Sequence, residues 1–331
     1  MSSSTERRSV RLVAFAFLGA TLYLTGTLIL FLLAIVTLGQ GRVFSSKVLL
    51  EYQRAAYMGG IRRIWQTEPG CAQFDPDLLY KPREGSCRFK NVEFDLEMHF
   101  DAQGRVSPHP EGGKGIAVLG DSYAMGWGVP DDKTYAAVME RDLGRPVYNL
   151  GVGSYGTYRE LLRLEKSGLL PRVDTVVIQY CENDITENLE KVKGDAPSRP
   201  EQFEALGRSI KPSAASTLKL WARDALKLPL KLLLSPVRKA PYKDFAPHHA
   251  AIQAVFREFS WLKDKKVLVF YTNPWGVRFS NYPETVGPPR AAAPRFLDLP
   301  LTPQDYYLVD DHLTERGHQK VAALLESELK R

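Results

Sequence analysis

The sequence predicts an α/β protein with a parallel sheet, set behind a transmembrane helix and a small β-rich segment. Three observations lead there. Residues Leu12 to Leu38 form an uncharged, mostly apolar run. From Gly115 onward, strand-like and helix-like patterns alternate, the order expected when helices cover both faces of a parallel sheet. The stretches VDTVVIQY (173–180) and KVLVFY (266–271) are almost continuously apolar, as strands buried on both faces should be.

At 331 residues the chain has room for one large domain with appendages. A hydrophobic share of 44% excludes wholesale disorder, and a net charge of +6 without zinc-finger spacing or an RNA-binding signature argues against nucleic acid as a partner. As a helix, Leu12–Leu38 would be about 40 Å long, more than the roughly 30 Å hydrocarbon core requires. Arg7, Arg8 and Arg11 precede it and Arg42 closes it, so the positive-inside rule leaves the N-terminus in the cytoplasm and exports the rest. A cleaved signal peptide is the competing reading, but its apolar core would be only about 7–15 residues. The expectation is therefore a single-pass protein of the cytoplasmic (inner) membrane. Residues 1–41 would be tip and anchor, with the remaining domain in the periplasm.

Residues 42–110 read as a juxtamembrane stalk, helical over Val43–Gln66, and a β-rich prelude packed on the main domain. Cys71 and Cys87 lie in that prelude, where an oxidising compartment permits a disulfide between them. Alternation of Val92, Phe94, Leu96, Met98 and Phe100 predicts a strand with one buried face, followed by a turn at Asp101–Gly104. In the main domain, 111–331, strands are expected at Ile116–Leu119, Val147–Asn149, Thr175–Tyr180 and Val267–Tyr271. Helices are expected near Thr134–Asp142, Thr157–Gly168, Pro247–Leu262 and Glu315–Leu329. Cys181, ending one strand, reads as a buried structural thiol. An insertion at 193–247 carries Lys219, Arg223, Lys227 and Lys231 along one helical stripe. Pro229 should kink or end that helix. The stripe is either a solvated face or a surface that lies on the membrane. Proline-rich Asn281–Pro294 reads as a loop near the carboxyl edge of the sheet.

Chemistry concentrates where strands end. The stretch VLGDSYAMGWG (Val118–Gly128) is a strand running into a glycine-bounded turn with Ser122, at the edge where open α/β sheets bind ligands. Alone, it is equally an ordinary βα turn with a helix-capping serine. NLGVGSYGT follows the next strand, CENDITEN places Asn183 and Asp184 after another, and DDHLTERGH holds Asp310, Asp311, His312 and His318 near the last helix. Together they supply the parts of acyl transfer through a serine, which needs a nucleophile, a base, a carboxylate orienter and oxyanion donors. Ser122 is the nucleophile, His312 the base and Asp310 its orienter, with Asp311 as the alternative. The Asn183 amide and main-chain N–H groups of Ser122, Gly153 and Ser154 would form the oxyanion hole.

These four blocks, in this order, resemble the signature blocks of the SGNH (GDSL-type) hydrolases, over roughly Gly115 to Lys330. The resemblance implies a flavodoxin-like three-layer α/β/α sandwich, no metal or organic cofactor, and hydrolysis or transfer of acyl groups, often acetyl, on carbohydrates and lipids. Cys181 stands where the family usually has a glycine, a change expected to alter packing more than chemistry. Ser154 falls where it usually has the oxyanion glycine. Val309 occupies the common aspartate position, so that Asp310-x-His312 resembles the spacing of alginate-type O-acetyltransferases. The leading expectation is an extracytoplasmic esterase that removes an acyl group from an envelope carbohydrate or lipid. The alternative is an O-acetyltransferase acting on an exopolysaccharide or wall polymer, with a multi-pass acyltransferase as possible partner. A non-catalytic anchored assembly or binding protein is the third.

Overall fold

The computed structural model describes residues 2–191, 200–210, 214–234, 246–272 and 294–330. The N-terminal elements are α1 (Ser2–Gly39) and α2 (Lys47–Ala56). Five strands follow: β1 (Ala72–Asp75), β2 (Leu79–Pro82), β3 (Gly85–Lys90), β4 (Asp95–Asp101) and β5 (Gly104–Arg105). Then come β6 (Gly115–Leu119), α3 (Ser122–Met125), α4 (Tyr135–Leu143), β7 (Val147–Asn149), α5 (Thr157–Lys166) and β8 (Val173–Tyr180). The helices α6 (Glu182–Lys191), α7 (Pro200–Ile210), α8 (Ala214–Leu234) and α9 (Ala246–Glu258) precede β9 (Lys266–Tyr271), β10 (Arg295–Leu297) and α10 (Glu315–Leu329). They fall into two compact units. One comprises Met1–Arg62, Lys211–Arg238 and Leu308–Asp310; the other comprises Arg63–Ile210, Lys239–Tyr307 and Asp311–Arg331.

The larger unit is an α/β sandwich on an eight-stranded sheet of order β10-β9-β8-β6-β7-β5-β4-β3. The first five strands in that order pair in parallel, and β5, β4 and β3 continue the sheet antiparallel. Period-two alternation divides the parallel strands between two cores. Ala117, Leu119, Val176, Ile178, Val267 and Val269 pack with α5 and α9 through Leu161, Leu164, Ile252 and Val255. Ile116, Val118, Val177, Leu268 and Phe270 face the other way, onto Val138 and Met139 of α4 and Val321 and Leu325 of α10. Each fully buried aliphatic side chain contributes about 1.5–3 kcal/mol, which is why these strands tolerate so little polarity.

The β-rich segment is not a separate prelude. Its strands β3–β5 extend the central sheet, joined through Arg105 opposite Asn149 of β7. The expected alternation covers part of the stretch: Met98 and Phe100 of β4 are buried and Glu97 and His99 exposed, while Val92 and Phe94 precede the strand. Among the described residues, β1 and β2 alone form a separate two-stranded sheet. Cys71 and Cys87 are joined across a Cα–Cα distance of 5.0 Å, and Cys181 is a buried thiol outside any disulfide.

In the smaller unit, α1 is exposed from Arg8 to Thr25. Beyond that, Thr27, Phe31, Ala34 and Leu38 recur at helical spacing and are buried where α1 packs on α2 and α8. Gln53 ties the turn after α1 to α2, its amide donating to Thr37 Oγ1 at 2.9 Å and to the Arg42 carbonyl at 2.8 Å. The stalk is helical over less than the expected span. After α2 a wider turn covers Tyr57–Ile61, where Gly60 leaves helical geometry. Pro229 does not end α8, which continues to Leu234. Asp310 also belongs to this unit; it is buried, accepts a hydrogen bond from Tyr57 Oη, and lies 3.9 Å from Arg62 Nε. The expected loop at 281–293, and parts of the 193–247 insertion, lie outside the described residues.

Candidate active site

Strand β6 delivers Ser122 to the carboxyl edge of the sheet. At Gly120 the chain turns with φ +144°, and a Cβ there would stand 2.6 Å from Ala124 Cβ. Asp121 then caps α3, its Oδ1 accepting from Tyr123 N at 2.9 Å. Its Oδ2 accepts from Cys181 Sγ at 3.0 Å, and burial pushes its carboxyl above the ordinary carboxylate range. Asp121 is therefore a structural acid that sets the turn.

Ser122 Oγ lies 2.7 Å from His312 Nε2, and both residues are buried. The His312 ring is clamped. Trp127 stacks on it at 4.8 Å with a 12° interplanar angle, and Tyr123 leans on it at 4.7 Å. Tyr123 Oη donates to the Asp311 carbonyl at 3.0 Å, and Tyr307 N donates to the His312 carbonyl at 2.8 Å. Asp311 takes a left-handed backbone, φ +66°, which shapes the loop that presents the imidazole. Arg105, 1% exposed, braces the turn after α3 by donating to the carbonyls of Met125 (2.8 Å), Gly126 (2.7 Å) and Val129 (2.6 Å). A charge so deeply buried is retained because its donors are filled, here also by Asp131 at 2.6 Å.

The glycine block brings main chain against α3. A Cβ at Gly151 would lie 2.3 Å from Met125 N, so no other residue fits there. Gly153 lies beside Ser122, a Cβ on it falling 3.8 Å from Ser122 Cβ. Its carbonyl is held by Tyr80 Oη at 2.7 Å and Gln66 Nε2 at 3.0 Å. Among the described residues, no acceptor takes the main-chain N–H of Ser122 or Gly153. Ser154 is exposed with φ +63°, and its carbonyl accepts from Arg159 Nη2 at 2.8 Å.

Asn183 and Asp184 do different work from each other. The Asn183 amide donates to the Tyr155 carbonyl at 2.7 Å and its Oδ1 accepts from Cys181 Sγ; among the described residues neither group bonds Ser122. Asp184 accepts from Thr157 Oγ1 at 2.7 Å and from Cys181 N at 2.8 Å, and burial pushes its carboxyl well above the usual range. Cys181 thus does more than fill space: its thiol meets Asp121 and Asn183. The second histidine of the terminal block, His318, is fully buried and accepts from Tyr135 N at 3.1 Å. Tyr123, Trp127, Arg105, Tyr80 and Gln66 were not marked as site residues by sequence. The first two flank Ser122 at one and five positions, a signal that was present; the other three arrive through long-range contacts without a local pattern. Among the described residues, no cluster of three or more His, Cys, Asp or Glu could hold a metal.

No family model matches the chain, and no curated protein matches it. Similarities to solved structures exist at low identity. One is a GDSL-like lipase from Bacteroides thetaiotaomicron, 14% identical over 66% of this chain and 88% of that one, TM-score 0.36. A family two carbohydrate esterase from Clostridium thermocellum, in complex with cellohexaose, is 15% identical over 67% and 65%, TM-score 0.38. An acetyl xylan esterase, AlAXEase, is 17% identical over 65% and 98%, TM-score 0.31.

Proposed function

We propose that this chain is a serine-dependent ester hydrolase of the SGNH type. It is held in the cytoplasmic membrane by α1 and removes an acyl group, acetyl in the simplest case, from an envelope carbohydrate or lipid outside the cytoplasm. The observation that carries this is the 2.7 Å contact between Ser122 Oγ and His312 Nε2, in a site where the imidazole is clamped by two aromatic rings. Ser122 attacks the ester carbonyl as His312 takes its proton. The main-chain N–H groups of Ser122 and Gly153 meet the oxyanion, the alkoxide leaves with the proton from His312, and water discharges the acyl-serine by the same route. The orienting carboxylate is assigned to Asp310, with Asp311 the competing position. The exposed apolar surface of α1 supports the anchor, and the Cys71–Cys87 disulfide supports an oxidising compartment.

The test uses the full chain in neutral detergent with p-nitrophenyl acetate and an O-acetylated polysaccharide. Acetate should be released from both, and Ser122→Ala should release none. Acetyl groups passing to an added glycan rather than to water would turn the assignment to transfer. Full activity in Ser122→Ala would refute it. A reporter active only outside the cytoplasm, fused after Arg331, should be active.

A further inference from the structure

Helix α8 completes a basic cavity that the ester chemistry does not use. The cavity has a volume of about 430 Å³ and lies between α2, with Arg54 and Ala55, and α8, with Arg223, Lys227, Leu228 and Lys231. Its two acids are already engaged, Glu51 with Arg54 at 2.7 Å and Asp224 with Arg223 at 2.7 Å. Among the described residues Lys227 and Lys231 have no ion-pair partner, so the cavity presents two unmatched ammonium groups.

The position of α8 on α1 says what could match them. Trp221 packs edge-on against Phe31, and Tyr23 Oη donates to the Leu226 carbonyl at 2.5 Å. Helix α8 therefore runs back along α1 toward its N-terminus, to the level of Tyr23, inside the uncharged run Leu12–Leu38. At that level both helices expose apolar side chains: Leu22, Leu28 and Ile29 on α1, Leu226 (46%) and Leu230 (55%) on α8. Exposed leucines favour acyl chains, whereas unmatched lysines beside them favour an anion; long lysine stems let one helix serve both. The two needs are met together by an anionic lipid.

We infer that the cavity between α2 and α8 binds the phosphate headgroup of an anionic phospholipid, paired by Lys227 and Lys231, with its acyl chains against Leu226 and Leu230. This rests on the reading of α1 as a membrane anchor. The full chain, in neutral maltoside detergent, is titrated with phosphatidylglycerol or phosphatidylcholine and its bound lipid counted by native mass spectrometry. Each lysine should contribute about fivefold, so phosphatidylglycerol should be retained about 25-fold better. Lys227→Gln with Lys231→Gln should bring the preference near unity, with the melting temperature and p-nitrophenyl acetate hydrolysis unchanged. Equal retention of the two lipids by the wild type, or an undiminished preference in the double variant, overturns the inference. Millimolar inorganic phosphate should fail to displace the lipid; displacement would make the site one for soluble phosphate and overturn the lipid assignment. Alkaline carbonate extraction separates the two readings. A chain that stays in the membrane without preferring the anionic lipid defeats the headgroup site alone, and a chain released by carbonate defeats the anchor as well.

Discussion

His312 and His318 stand six positions apart, on either side of Thr314, the N-cap of α10. Both are buried, yet they are built for opposite purposes. His312 offers Nε2 to a hydroxyl, with aromatic rings holding its plane. His318 points into the core, stacks on Tyr135 at 5.6 Å, and uses Nδ1 to satisfy the first N–H of α4. Burial, with Arg105 and His312 nearby, drives its pKa down to about 3, so it stays neutral and inert. Proximity in sequence therefore says little about shared chemistry. What separates the two rings is the partner each meets: a serine hydroxyl at Nε2 of His312, a main-chain N–H at Nδ1 of His318.

Four variants probe that contrast and the fold that holds it. His312→Ala should cut kcat on p-nitrophenyl acetate by at least about 10³-fold without changing stability much, because the serine hydroxyl loses its base. His318→Phe should leave kcat per folded molecule within about threefold, and equal losses in the two variants would erase the distinction drawn here. Replacing Cys71 and Cys87 together by serine should cost about 3 kcal/mol in chemical denaturation, the value for releasing a loop of this size. His318→Phe, by leaving the Tyr135 N–H without an acceptor, should cost about 1–3 kcal/mol near neutral pH. Tyr123→Phe should be milder than His312→Ala: losing one hydroxyl bond to the Asp311 carbonyl slackens the His312 loop and lowers kcat about three- to tenfold.

His318 also gives a pH signature. In the unfolded chain its pKa returns to about 6.5, whereas in the fold it is about 3. Between those values the unfolded state binds the extra proton, so its contribution is present above pH 6.5 and is lost as pH falls through about 3. Denaturation of the wild type over this window should show a slope that His318→Phe lacks. An identical slope in both would place the titrating group elsewhere.

Much of this architecture could be read in the chain. The parallel strands and the helices around them follow from apolar continuity and period, and Thr134 and Thr314 cap helices as their residue type suggests. Ser122 and His312 could be singled out because one follows a strand and the other stands just before the last helix. The parts that could not be read depend on distant partners. Nothing near Cys71–Val106 announces that its strands would join the main sheet, since an edge strand looks alike whether its neighbour is local or remote. The place of Asn183 after β8 is legible, whereas its bonds to Tyr155 and Cys181 depend on which groups the fold brings near. Pro229 shows local propensity losing: packing along α1 and α2 sustains α8 where the isolated sequence would break it.

If Ser122 is activated by His312, covalent trapping reports it at the reacting atom. The full chain is treated with diisopropyl fluorophosphate and the adduct mapped by peptide mass spectrometry. A single adduct on Ser122 is expected, absent in Ser122→Ala, formed far more slowly in His312→Ala and at the wild-type rate in His318→Phe. An adduct on another serine, or equal labelling rates in the wild type and His312→Ala, would rule out activation of Ser122 by His312.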